Sequence, residues 1–449
     1  MEDMDPQTLR EIIFKSSEHV SDLIKTVAHA HRLRILVLLL NGPQELSHLL
    51  DAVKISKTAL ANHLTHMMDK GVIERSERGT YQITADGKDL ITAVATFYEQ
   101  STARELNRVN QIKKQYAQGY KGMKIRKNSI ANPPVMQDCW LTYIGAVTGV
   151  LQWLGVDCDV IDVGGYSGYA FLLNVAKRIT CASGPTAHSA WEEIHRGTER
   201  LGWNLTSISD EQSYPLSEKA TTEDRARAWH FLEVVKKEID KGSPVILWGI
   251  PVPEYGIVTG YEGDSYTVST VRRFTGQPEL PIRYDALQAP GCMEAIFFSE
   301  KIPVPDTRDE DAINSALTMA EGNYALKGYV QGLEAYDEWT TILEGGESEV
   351  DYFGNSYVGA CLHDARRIAA QFLERMAQKY ESHCSSLKKA AHYYNEVAAL
   401  LGTFTEMFPF PQSETAPDYC RGAEILKAAE GSERAAILQL RKAFQQWGH

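Results

Sequence analysis

The chain has 449 residues, is 43% hydrophobic and 9% aromatic, and carries a formal net charge of −13, a composition expected of a globular protein with roughly two to four domains. Its longest apolar runs, such as ILVLLL at 35–40, fall far short of the roughly 20 residues a membrane span needs. MEDMDPQTLREIIF has acidic residues where a signal peptide has basic ones, so a cytoplasmic address without membrane contact is expected.

Charge is divided unevenly. Residues 1–127 hold 19 Lys and Arg against 15 Asp and Glu, and the remainder holds 27 against 44. The N-terminal part can approach a polyanion, whereas one repels the acidic body. The seven cysteines, at 139, 158, 181, 292, 361, 384 and 420, form no C-x-x-C pair. That pattern argues against a disulfide framework or structural zinc and for buried thiols.

In chain order, apolar residues recur at helical spacing through 20–40 until Gly42-Pro43 stops the helix. A short helix is expected over 44–53, and a third from a Ser56 cap to about Lys70, ended by Gly71. VIERSERGTYQIT alternates like a two-stranded ribbon turning at Glu77-Arg78-Gly79. Three helices followed by a hairpin is the winged helix-turn-helix order. The third helix offers Ser56, Lys57, Thr58, Asn62 and His63 to the phosphates or base edges of a double-stranded DNA operator. The hairpin offers Arg75, Arg78 and Tyr81 for phosphate contact or minor-groove insertion. A winged helix used only for protein contact is the plain alternative.

TVAHAHRLRILVLLL and SKTALANHLTHMMDKGVIERSERGTYQITADGKDLI resemble the ArsR-type winged-helix family over residues 19–91. The resemblance implies a DNA-binding regulator acting as a homodimer, with repression as the family's default and activation equally compatible with the residues. That family's Cys-rich metal motif has no counterpart here. His63 and His66 are expected to face DNA or pack, so no metal is expected. Residues 88–118 read as an amphipathic helix, for dimerisation or simple connection, and 119–134 as a basic linker ending in Asn-Pro-Pro.

MQDCWLTYIGAVTGVLQWLG puts Cys139 at the start of an apolar helix, where the macrodipole favours thiolate, the placement a nucleophile needs. SPVILWG and YGIVTGYEGDSYTVST supply strands at 243–249 and 255–270, the second turning at Glu262-Gly263-Asp264. DVIDVGGYSGYAFLL, 159–173, can be read as the strand and Gly-rich turn of an adenosylmethionine-binding sheet. The next candidate strand, RITCASG, lacks the acidic residue such a site needs, so no cofactor is expected.

The Cys139-Trp140 helix start, GGYSGYAF, GPTAHSAW and PEYGIVTGY resemble the papain-like fold in its bacterial peptidase-like branch. They are most similar to the N-terminal domain of the butirosin biosynthesis protein H family, whose helical tail also matches at Tyr336 and Trp339 in AYDEWTTIL. The resemblance implies acyl transfer or peptide cleavage by a Cys/His pair. Aligning the strand by its Val-x-Gly end puts the family's histidine at Glu254. A carboxylate with an ordinary pKa near ~4.3 is too weak a base to take a thiol proton at neutral pH. His188, His195, His230 and His363 remain as substitutes.

A fold of this kind without its base still offers a pocket for a small-molecule effector. Cys139, Tyr143, Tyr166, Trp248, Glu254 and Tyr255 are its candidate walls, with Glu254 favouring a cationic or donor-rich ligand. For each aromatic the plain reading is core packing. The alternative is a Cys139-dependent acyltransferase or hydrolase carrying a DNA-binding domain.

After PVPDTRDED the chain reads as helices separated by LEGGESEVDYFGNS and FPFPQSETAPDY, the last near 420–446. The expected fold class is multidomain α+β. It comprises a winged helix at 1–87, a connecting helix and linker at 88–134, a papain-like α+β ligand-binding domain at 135–305, and an all-α region at 306–449.

Overall fold

A computed structural model describes residues 6–99, 101, 126–346, 350–380, 384–412 and 417–447. It is mixed α/β and divides into two compact units, Met1–Gln111 and Ile112–His449. Among the described residues no helix is long and apolar enough to cross a membrane.

The first unit runs α1 (Pro6–Val27), α2 (Ala30–Leu40), β1 (Gln44–Glu45), α3 (Leu46–Val53), α4 (Lys57–Asp69), β2 (Ile73–Glu77), β3 (Thr80–Ile83) and α5 (Ala85–Glu99). The one helix expected over 20–40 is two. His29 turns extended and caps α2, its Nδ1 accepting from the His31 N–H at 3.3 Å. Ser56 caps α4, its hydroxyl oxygen accepting from the Ala59 N–H at 3.2 Å. β3 pairs antiparallel with both β1 and β2, Tyr81 standing opposite Gln44 on one side and Arg75 on the other. Ile35, Leu36, Leu60, Leu64, Met67 and Ile73 close the core. Of the helix expected over 88–118, α5 supplies the part to Glu99, and nearly all the rest lies outside the described residues.

The second unit is built on a seven-stranded antiparallel sheet in the order β10-β9-β8-β7-β11-β6, with β4 also paired to β8. The strands are β4 (Lys127–Ser129), β6 (Trp203–Asp210), β7 (Val245–Trp248), β8 (Tyr255–Glu262), β9 (Ser265–Ser269), β10 (Ile282–Arg283) and β11 (Met293–Lys301). β4 falls inside the segment expected as linker, pairing Lys127 with Glu262. Against the sheet lie α6 (Thr142–Trp153), packed on β8, and α9 (Thr222–Asp240). α7 (Val160–Tyr166) and α8 (Trp191–Glu199) sit nearby.

The strand expected at 159–173 is instead α7 followed by a short 3-10 turn at Tyr169–Phe171. Asp159 and Asp162 form a capping box that starts the helix. Its glycines are there for packing rather than for a cofactor: a Cβ on Gly165 would meet the Phe372 ring at 2.1 Å. RITCASG forms no strand either. The adenosylmethionine reading falls with both elements.

The C-terminal helices are α10 (Arg308–Glu321), α11 (Glu334–Glu344), α12 (Tyr352–Lys379), α13 (Cys384–Met407) and α14 (Tyr419–Trp447). This region is not purely helical: β12 (Tyr329–Gln331) pairs with β5 (Asn174–Ala176). α12 packs on α7, and Ile368 and Phe372 share one core with Ile144, Tyr166 and Ile257. The Arg366 guanidinium is fully buried at the centre. It donates to Glu433 at 2.5 and 2.9 Å and to the Ala170 carbonyl at 2.7 Å.

Candidate functional site

In the first unit, α4 buries Leu60, Leu64 and Met67 and exposes Ser56, Lys57, Thr58, Asn62 and Thr65, the spacing of a helix with one face free. Lys57, Thr58 and Asn62 therefore stand exposed as DNA contact requires, while the Ser56 hydroxyl is occupied by its capping bond. His63 is half-buried against His29 and His31.

On the hairpin, Arg75 and Arg78 are exposed but Tyr81 is not. Tyr81 is 5% exposed, belongs to the core, and accepts from Arg75 Nη2 at 3.1 Å while its ring lies beneath the guanidinium. Alternation along β3 points Tyr81 inward with Ile83. Minor-groove insertion by Tyr81 is thus corrected to a supporting role for Arg75.

In the second unit, the segment carrying Cys139 is held against α6 by close backbone contact. The Gln137 N–H donates to the Gly145 carbonyl at 3.1 Å. A Cβ on Gly145 would lie 2.3 Å from the Gln137 carbonyl oxygen, and one on Gly149 2.2 Å from that of Val135. Cys139 itself precedes the helix, whose first residue is Thr142, and is 6% exposed.

Burial pushes its thiol well above the usual range, and the Asp364 carboxylate, which hydrogen-bonds the thiol, raises it further against a smaller opposing effect of the Leu141 N–H. The thiolate expected from the macrodipole is therefore corrected: desolvation and a facing carboxylate win.

Glu254, on the lip before β8, is 9% exposed. The Thr142 and Tyr357 hydroxyls donate to its two carboxyl oxygens, and the Tyr255 N–H donates to Thr142 Oγ1 at 3.1 Å. Burial raises its pKa to about 8, only partly opposed by the Thr142 bond. Burial, then Glu254 and Asp364, push up the thiol of Cys361, whose Sγ donates to the Trp140 carbonyl at 3.7 Å. Asp364 accepts from the Trp140 N–H at 2.9 Å and from Arg367 Nη2 at 2.6 Å. The Trp140 ring is 39% exposed and meets Tyr357 and Phe410 edge-on. Beside Cys361 lies a small cavity of about 20 Å³, bordered by Leu141, Tyr169, Asn174 and Leu362, enough for one water molecule.

Tyr357, Cys361 and Asp364 were missed in the sequence. Their i, i+4, i+7 spacing in YVGACLHD is the signal that could have found them.

The other predicted walls scatter. Tyr143 and Tyr255 are buried ring to ring at 5.6 Å, with hydroxyls bound to Thr198 and Glu294 respectively. Trp248 packs on Tyr255 at 5.0 Å, leaving its buried Nε1 without a partner among the described residues. Tyr166 is not brought to the site, since its hydroxyl donates to Asp309 at 2.7 Å.

Of the substitute histidines, His188 stacks on Trp191 and His195 on Tyr143, with burial lowering both to about 4. His363 faces α13, where a Cβ on Gly402 would lie 3.5 Å from its Nε2. His230 lies within α9. Among the described residues no three His, Cys, Asp or Glu side chains are posed to hold a metal ion.

Residues 21–96 match the protein family described as methanogenesis regulatory protein FilR1, N-terminal domain. The first unit thus resembles a regulator's N-terminal domain. No curated protein matches the chain.

Proposed function

We propose that the chain is a transcription regulator. Its first unit binds a double-stranded operator as a winged helix. Its second unit, a papain-like domain with a helical cap, senses a small molecule without catalysis. The similarity of residues 21–96 to a regulator's N-terminal domain carries this reading. The exposed row of Lys57, Thr58, Asn62, Arg75 and Arg78 supports DNA as the partner.

Dimer formation is supported by large apolar side chains left exposed on α1 and α5, among them Phe14, Ile24 and Phe97. The non-catalytic reading is supported by a thiol that burial and the facing carboxylate of Asp364 push well above its usual range. A ligand must bind the DNA-competent and DNA-incompetent states unequally to switch them, and the shared Trp140, Tyr357 and Phe410 cluster above Glu254 is the natural place to admit it.

A second reading, an acyltransferase or hydrolase using Cys139, is favoured by one observation: at about 8, Glu254 has the proton affinity of a working base near neutral pH. The thiol's own raised proton affinity opposes it.

The test is recovery of genomic DNA fragments by the full chain. Small-molecule fractions of a cell extract are then screened for an effect on that binding, with wild type and Cys139→Ala in parallel. The sensor reading expects a fraction that shifts both chains alike. A response confined to the wild type, with an acyl adduct on Cys139, would favour covalent chemistry instead. Failure to enrich any fragment would remove the regulator reading.

A further inference from the structure

The break between α1 and α2 places a group of nitrogen-bearing side chains beside α4. The rings of His29 and His63 are 4.6 Å apart, those of His29 and His31 5.3 Å, and those of His31 and His63 5.9 Å. His66 comes one turn after His63, and Arg32 directly after His31 on α2. Three nitrogens here, His31 Nδ1, Arg32 Nε and His66 Nε2, are buried without a hydrogen-bond partner among the described residues. Buried polar atoms left unpaired are costly; Arg32 Nε is a donor and each ring nitrogen is one in the appropriate tautomer, so the group suits an acceptor that arrives from outside.

The charges around the group agree. Burial, then His29, Arg32, His31 and His66 in that order, all act to lower the proton affinity of His63. Asp22, on α1, is already engaged by Lys70 at 3.1 Å and Lys25 at 3.6 Å. On α4 the core side is Leu60, Leu64 and Met67 and the free side is Thr58, Asn62 and Thr65. Helical geometry sets His63 and His66 on the flank between them. An anion held there would lie at the edge of the surface offered to DNA, where duplex phosphates run when a helix enters the major groove.

We infer that His29, His31, Arg32, His63 and His66 form a seat for a tetrahedral phosphate, supplied by the DNA backbone. The seat rests on the reading of the first unit as DNA-binding and adds a contact from outside the recognition helix and wing. The phosphate accepts from the Arg32 guanidinium and from imidazole N–H groups. The His63 imidazole, whose proton affinity burial and its neighbours lower in the free protein, takes up a proton as the phosphate docks, since an adjacent anion favours the charged form. DNA affinity is therefore greatest at low pH and falls as pH rises, tenfold per pH unit for each proton taken up.

The test is fluorescence anisotropy of the full chain on a recovered genomic duplex, across pH 6–8 and a salt series. Wild type is compared with Arg32→Gln, a His29→Gln/His63→Gln double variant, and Lys57→Ala as a control outside the seat. Circular dichroism checks that each variant keeps its helices. The seat predicts that wild-type affinity falls at least tenfold from pH 6 to pH 8 and that the double variant loses this dependence. It also predicts that Arg32→Gln flattens the slope of log affinity on log salt by about one, equally on every duplex.

Wild-type DNA binding that depends on Lys57 but is indifferent to pH and to the seat variants would overturn the seat alone. Absence of DNA binding at any pH would overturn the underlying reading as well. Inorganic phosphate that shifts the His63 imidazole NMR signals, with DNA affinity untouched by the variants, would reassign the seat to the free ion. Affinity abolished by EDTA and restored by zinc would overturn the phosphate seat in favour of a metal.

Discussion

Replacing Glu254 by Gln tests the physical state of the site in the second unit. Burial holds this carboxyl at about 8, against an ordinary value of 4.5, so the folded protein binds its proton far more tightly than the unfolded chain does. The stabilisation from that proton is fully present below pH 4.5 and is lost as pH rises towards 8. Each tenfold change in proton affinity carries about 1.4 kcal/mol, which makes the loss about 5 kcal/mol by pH 8 and about 3 kcal/mol by pH 7.

Gln has the shape of the neutral carboxyl, can accept from Thr142 and can pair with Tyr357, but does not titrate. The variant and wild type should therefore be equally stable near pH 4.5, with the variant ahead by about 3 kcal/mol at pH 7. Urea denaturation monitored by tryptophan fluorescence reads this directly, because all eight tryptophans lie between 140 and 447, in the second unit. The pH 7 difference corresponds to a midpoint increase of about 1 M urea. A difference that stays constant from pH 4.5 to 8 would refute the neutral, buried Glu254.

The neighbouring contacts give further expected outcomes. Asp364→Asn keeps the bond from the Trp140 N–H but removes the charge facing Cys139, so alkylation of that thiol at pH 9 should speed up about tenfold by mass spectrometry. Arg366→Ala leaves Glu433 buried without its partner and should cost about 3–5 kcal/mol in the same urea experiment, most of it recovered when Glu433→Gln is added. Gly149→Ala drives a Cβ into the Val135 carbonyl and should lower stability by about 1–3 kcal/mol, read as a reduced Tm. Tyr81→Phe takes the hydroxyl from beneath Arg75, and anisotropy should show DNA affinity weakened several-fold with sequence preference unchanged.

Local chemistry was the legible part of the sequence. Ser56 announces the α4 cap, Gly79 the hairpin turn, and Gly263-Asp264 the β8–β9 turn, because each is decided by residues within a few positions. Glu254 was also visible as an odd carboxylate on a strand lip. What faces it was not: Tyr357, Cys361 and Asp364 arrive on α12, more than 100 residues later, and only helix packing brings them there. The misread strand at 159–173 has a similar cause. Its apolar run fits strand or helix alike, and the Asp159–Asp162 capping box decides for the helix. The inward turn of Tyr81 and the meeting of His29 with His63 likewise depend on which face packs, which spacing alone underdetermines.

The most direct test of the central claim is the affinity of the full chain for one recovered genomic duplex against a scrambled duplex of equal length, at fixed salt. A DNA-reading first unit predicts a preference of about 10³-fold or more, in the range of specific regulators. Lys57→Ala or Arg78→Ala should then weaken binding to both duplexes. Equal affinity for the two duplexes, or binding indifferent to Lys57 and Arg78, would contradict it.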